Sequence, residues 1–253
     1  MLFRSLALLL MLSRAEALHV SRSGPILASA TTSSGWAIND LTPDGRLMQR
    51  VEGQTRKTWT FKDYSRDRVQ VAVAGTSEAR PIHSEIQLWI GPDWTPFTLK
   101  AYSEDGKKRP IQTLIGTRNK AAMIEVRNTG EYEFPFNAAS NYPKGAMATL
   151  AEDLPATTQG ELIQGNALRS FNLKSGTTQL ELILKTDGKQ LNARIEMLDG
   201  PNNPKQCYEV FTNNGELNSL VVCFDVEQYA GNTLRIMNLA PVEFPCYCFM
   251  KEA

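Results

Sequence analysis

The stretch Ser84-Glu85-Ile86-Gln87-Leu88-Trp89-Ile90-Gly91-Pro92 decides the fold, because Ala193-Arg194-Ile195-Glu196-Met197-Leu198-Asp199-Gly200-Pro201 repeats it without a gap. Ile86, Leu88 and Ile90 alternate with Gln87 and Trp89, the period-two pattern of a pleated strand with one buried face. Gly91-Pro92-Asp93 ends that strand, since Pro cannot donate to a ladder and Gly tolerates the turn. The match holds outward through Tyr102 against Phe211 and Gly106 against Gly215. One extra residue enters the second copy before a closing signature, where Val126-Arg127-Asn128 plus Glu133-Phe134-Pro135 meets Ile236-Met237-Asn238 plus Glu243-Phe244-Pro245. The copies span about residues 59–136 and 169–246. Self-similarity of this kind outranks a length prior and predicts two homologous units.

Other segments carry the same alternation. Trp59 and Phe61, Val69 to Val73, residues 97–103, 111–115 and 122–128 read as strands of the first copy. Leu180 to Leu184, Ile195 and Met197, then 208–212, 220–224 and 233–238 repeat the plan. Asn213-Asn214-Gly215 supplies a hairpin turn. The predicted fold is all-β: two tandem homologous antiparallel β-sheet domains, sandwich-like and pseudo-twofold, behind an extended N-terminal segment. The boundaries are an extended lead-in at 36–55, β-repeat 1 at 56–137, a linker at 138–160, β-repeat 2 at 161–250 and a tail at 251–253. Residues 144–153 carry the one stretch with helical character. Each repeat is expected to form a six-stranded sheet, and the two sheets to pack face to face, because a lone sheet must cover an apolar face somewhere. Residues 246–250 are a last strand if buried and an adhesive edge if exposed.

The chain has 253 residues, 42% of them hydrophobic and 21% charged, ordinary values for a folded protein. Lys plus Arg equals Asp plus Glu at 27 each, so no net field gathers nucleic acid or an anionic membrane, while long-range repulsion between copies is also missing. All four cysteines, Cys207, Cys223, Cys246 and Cys248, lie in the second copy, opposite Thr98, a residue near Thr113 or Leu114, Phe136 and Ala138. A disulfide framework would have been duplicated with the module, so these read as small apolar fillers in a reducing compartment. C-x-x-C knuckles are lacking and no metal or cofactor is expected.

The N-terminus reads as an address. Residues 1–17 have a basic start at Arg4, an apolar run at 6–12 too short to span a bilayer, and a small-x-small cleavage site at Ala15-Glu16-Ala17. Residues 18–35 carry Arg22, no acidic residue and many Ser, Thr and Ala, as in a transit peptide. This two-part address resembles that of proteins imported into plastids of secondary algae, although such addresses usually expose Phe after cleavage and Leu18 stands here. Plain secretion is the alternative. The mature chain is expected to hold no transmembrane segment.

The inventory for catalysis is thin. His19 lies in the address, and His83 begins a strand opposite Asn192 of the second copy, the place of a surface polar residue. No nucleophile elbow, phosphate-cradling loop or dinucleotide fingerprint is present, so no catalytic residue is assigned and enzymatic activity is not expected. The shared positions are the candidates instead. Gly91 and Gly200 with Pro92 and Pro201 set a rigid turn, and Asn128 and Asn238 bond backbone at a strand end. Glu133 and Glu243 pair with an Arg or with free backbone donors, while Phe134 and Phe244 with Pro135 and Pro245 plug a sheet edge. They either hold each module together or contact neighbouring subunits. Trp89 and Trp94, opposite Leu198 and Asn203, are candidate partner-binding rings, or are buried by the other sheet.

Through Ile-Glu-Met-Leu-Asp-Gly-Pro-Asn-Asn (195–203) and Ala-Pro-Val-Glu-Phe-Pro (240–245), the second copy resembles the pyrenoid shell proteins of diatoms and related algae. The resemblance covers about residues 50–250 and the two-part address. It implies a non-enzymatic protein that self-assembles into a sheet-like shell around the Rubisco-rich pyrenoid in the plastid stroma and limits leakage of carbon dioxide. Its implied partners are copies of itself and Rubisco, with no nucleic acid. A β-sandwich binding module gripping a glycan or a photosynthetic protein through Trp89 and Trp94 is the reading from another class.

Overall fold

Apolar and polar residues alternate into sixteen strands in a computed structural model that describes residues 36, 48–227 and 231–253. The signal and transit segments expected at 1–17 and 18–35 lie outside the described residues. The first half runs β1 (Gln49–Val51), β2 (Arg56–Phe61), β3 (Arg68–Gly75), β4 (Ile82–Ile90), β5 (Trp94–Ser103), β6 (Ile111–Gly116), β7 (Ala122–Asn128) and β8 (Phe136–Asn141). A 3-10 turn (Gly145–Ala148) and one short helix, α1 (Leu150–Thr157), follow. The second half runs β9 (Glu161–Ile163), β10 (Leu168–Asn172), β11 (Gln179–Lys185), β12 (Leu191–Asp199), β13 (Pro204–Thr212), β14 (Leu220–Asp225), β15 (Asn232–Asn238) and β16 (Cys246–Glu252).

The strands form two eight-stranded antiparallel sheets, in the orders β1-β8-β3-β6-β14-β11-β16-β9 and β10-β15-β12-β13-β5-β4-β7-β2. Read from either end, each order is the same: β9, β16, β11 and β14 take the places of β1, β8, β3 and β6, and β10, β15, β12 and β13 those of β2, β7, β4 and β5. The sandwich is the one the alternation predicts, but its partition differs. Each half gives four strands to both sheets instead of one sheet of its own. Alternation fixes which face of a strand is buried, not which strand lies beside it.

The halves join at the middle of each sheet. Seven residue pairs tie β13 to β5, from Gln206 against Ser103 to Thr212 against Phe97, and three tie β14 to β6. Side chains reinforce the seam: Gln206 Nε2 donates to the carbonyls of Arg109 and Pro110 at 3.1 and 3.3 Å, and Thr113 Oγ1 donates to that of Val221 at 2.9 Å. Between the sheets one continuous core runs from Val71, Ile86, Leu99 and Ile124 to Leu182, Ile195, Val222 and Ile236, all fully buried. Tyr208 stacks on Phe224 within it, ring centroids 5.0 Å apart.

The outer faces differ. On the first sheet Leu114, Ile183, Val221 and Cys223 point away from the shared core and are covered by Met147, Leu150 and Leu154 of the linker and by Trp36, whose Nε1 donates to Glu181 Oε1 at 3.0 Å. With Leu114 under that cover and its neighbours facing the core or the seam, β6 is buried at every position, Gln112 and Thr113 included. This sheet is called covered below and the second, open. Two strands reach beyond the repeats expected to carry them: β1 lies in the lead-in and β8 crosses into the linker, whereas β16 is the last strand expected at 246–250, extended two residues into the tail. β16 is sandwiched between β11 and β9 and is not an edge.

Candidate assembly surface

The closing signature builds the same clasp twice. Asn128 Nδ2 donates to the carbonyls of Val51 (3.3 Å) and Phe134 (2.8 Å), while its Oδ1 accepts from the Gly130 N–H (2.9 Å). Asn238 does the same to Ile163 (3.1 Å), Phe244 (3.0 Å) and the Ala240 N–H (3.1 Å). Each asparagine is 1% exposed and ties an open-sheet strand, β7 or β15, to the β1 or β9 edge of the covered sheet. Phe134, Pro135, Phe244 and Pro245 are half-buried beside these clasps, and Arg80 lies over the Phe134 ring at 5.4 Å. Glu133 and Glu243 are exposed.

Sequence reasoning missed the glycine beneath each clasp. A Cβ on Gly53 would stand 2.2 Å from the Glu131 carbonyl oxygen, and one on Gly165 would stand 1.7 Å from that of Pro241. Gln54 and Asn166, the next residues, share φ 61°. The legible signal was that Gly53 and Gly165 stand at the same distance before β2 and β10. Gly91 and Gly200, in contrast, sit in turns at φ 69° and 76° with open space around them, and Pro92 and Pro201 beside them are exposed. They are needed for the turn and not for packing.

Trp89 stands on the outer face of β4 opposite Met123, while Trp94 opens β5 opposite Ile90, beyond a bulge in the β4–β5 pairing. Trp94 is 37% exposed with Arg118 stacked 4.8 Å over its ring, whereas Trp89 is half-buried and its Nε1 is enclosed without a hydrogen-bond partner. His83 is exposed and rests on Tyr102, centroids 4.9 Å apart.

The helix and Trp36 cover the first sheet and leave the outer face of the open sheet bare. A single row crosses it strand by strand: Arg56, Arg127, Glu85, Lys100, Glu209, Arg194, Met237 and Leu168, each in register with the next. Beside the row, Glu125 is held by Arg56 (3.1 Å) and Arg127 (3.0 Å), and Glu196 by Arg194 (2.8 Å) and Arg235 (3.3 Å). Arg194 also meets Glu209 at 3.0 Å, and Gln87 bonds Glu85. Lys100, exposed at the centre, forms no ion pair among the described residues. A shallow depression of about 370 Å³ opens over His83, Glu85, Lys100, Tyr102, Cys207 and Glu209.

Cys207 is the one thiol on this face, and burial pushes it up to about 11, which keeps it protonated and unreactive near neutrality. The other three thiols are buried, and all four are free. Among the described residues no group of three or more His, Cys, Asp or Glu is placed to hold a metal ion, and no helix is long and apolar enough to cross a membrane.

No curated protein matches the chain. Among solved structures, vicilin from Solanum lycopersicum (tomato) aligns over 78% of this chain and 76% of its own at 7% identity, with a TM-score of 0.15 that supports no argument. Residues 42–252, which take in both sheets and both clasps, match the family described as Diatom pyrenoid shell protein, and the chain belongs to that family.

Proposed function

We propose that the chain is a non-enzymatic tile that assembles with copies of itself into a sheet-like shell at the periphery of the Rubisco-rich pyrenoid, in the plastid stroma, and so supports carbon dioxide concentration. Family membership over residues 42–252 carries this reading. The matched strand orders of the halves support an origin by duplication, which gives the tile a pseudo-twofold axis, and contacts that fail to close extend such a unit into an open array. Equal numbers of acidic and basic residues leave little repulsion between copies. Residues 1–17 and 18–35 would then be the plastid address, and the clasp motifs at Asn128 to Pro135 and Asn238 to Pro245 the loops through which tiles meet. Rubisco is the proposed inner partner.

Electron microscopy of the purified full chain tests the reading. Sheets or tubes are expected, and a strictly monomeric profile at high concentration overturns it. The exposed Trp94, stacked by Arg118, favours a second reading as a binding module for a glycan or a photosynthetic protein. Changing Trp89 and Trp94 together to Ala would abolish ligand capture on that reading and leave assembly largely intact on the first.

A further inference from the structure

The four central residues of the open-sheet row are antisymmetric across the pseudo-twofold axis. Glu85 on β4 and Arg194 on β12 occupy equivalent places in the two halves, as do Lys100 on β5 and Glu209 on β13, and each pair has opposite sign. The axis passes between Lys100 and Glu209, where β5 and β13 meet. A row that changes sign on inversion through its centre is complementary to itself. When a second copy is turned over about a line parallel to the central strands, Lys100 comes opposite Glu209 of the other copy and Glu85 opposite its Arg194, each contact made twice. Arg127 and Arg56 meet Met237 and Leu168, so the turned-over row contains no like-charge contact. Turning the copy about a line along the row instead sets Lys100 on Lys100 and Glu85 on Glu85, which is repulsive at all six charged places.

We propose that the open faces of two copies pack on each other about a twofold axis parallel to β5 and β13, with Lys100 to Glu209 and Glu85 to Arg194 as the central contacts. The inference rests on the reading that the chain assembles with itself, and it names the surface and the register. Size agrees. Eight strands about 4.8 Å apart and about six residues deep present roughly 750 Å² per copy, or about 1,500 Å² for the pair, which is the usual size of a specific interface. Facing sheets twist by about 30° relative to each other, which moves the outer contacts more than the central four. The unpaired Lys100 gains a partner on pairing.

Charge reversal in the full chain tests this by sedimentation. K100E places acid against Glu209, and E209K places base against Lys100, so each variant alone is expected to need at least about tenfold more protein to associate. An equal mixture of the two is expected to associate close to the wild-type concentration. There the introduced glutamate of one copy meets the introduced lysine of the other, while within each chain the two neighbours keep like charges. Melting curves check the fold, and if either variant does not fold, E85R and R194E provide the same cycle. Wild-type chains that assemble while the reversed variants assemble equally well overturn the face pairing and leave self-assembly standing. Single variants that weaken without recovery on mixing overturn it too, and a monomeric wild type overturns both readings.

Discussion

The two sheets share one apolar interior and differ in what lies on their other side. The covered sheet takes a helix, a 3-10 turn and Trp36 over apolar side chains, whereas the open sheet carries charged and amide side chains locked to one another in rows. One sheet is thereby committed to the stability of the fold, and the other leaves its outer face open. The same chain obtains both by changing what stands at alternate positions: Ile183, Val221 and Cys223 on one, Arg194, Glu209 and Lys100 on the other.

The largest effect is expected where the cover is removed. Trp36→Ala deletes a fully buried ring and strands a carboxylate oxygen of Glu181, and should cost about 3–5 kcal/mol in urea unfolding. A loss below about 1 kcal/mol would show that this sheet is not held by its lid. Next come the clasps that bind the sheets to each other. Asn128→Ala and Asn238→Ala each leave two backbone carbonyls and one N–H without their partner, a loss of about 2–4 kcal/mol, and the two variants should agree closely because their geometries do. A large disparity between them would break the equivalence of the halves.

Alkali should weaken both sheets through their thiols. Burial holds Cys246, on the inner side of the covered sheet, up to about 12, and Cys207, on the open face, up to about 11, against an ordinary 9.0. The unfolded chain releases these protons first, so the contribution is intact below about pH 9 and is lost as pH rises through 9 towards 11 and 12. Urea midpoints measured from pH 8 to 10.5 should fall, and the C207A and C246A variants should each flatten the slope. The smallest effect belongs to the open face: Thr98→Ala should change stability by less than about 0.5 kcal/mol, since its half-buried side chain lies on the outer face beside the row, away from the core.

Much of this was legible beforehand. The runs around Val69 to Val73, Ile86 to Ile90, Leu180 to Leu184 and Thr233 to Asn238 announced their strands through alternation alone, and Asn128 and Asn238 announced a strand-end role through their place in a repeated signature. Missed were β1 and β9, each of three residues, β10, whose Leu168 and Phe171 do not alternate, and β8, whose Phe-Asn-Ala-Ala-Ser-Asn has no β-branched residue and is a strand only because β3 and β1 flank it. The interleaving of the halves was hidden because register between distant strands leaves no local mark. Trp36 was hidden for a related reason, as a lone aromatic in a turn-rich segment shows no period. The charged row emerges only when eight strands are laid side by side.

All four tryptophans, Trp36, Trp59, Trp89 and Trp94, precede the helix, and all four cysteines follow it, so each half carries its own probe. The most direct test of the shared core is one urea series on the full chain read simultaneously by tryptophan fluorescence and by pulse labelling of the thiols. Two halves that complete each other's sheets at β5–β13 and β6–β14 should give coincident curves with a single midpoint. Separate midpoints, one half labelling its thiols while the other keeps its native fluorescence, would contradict it.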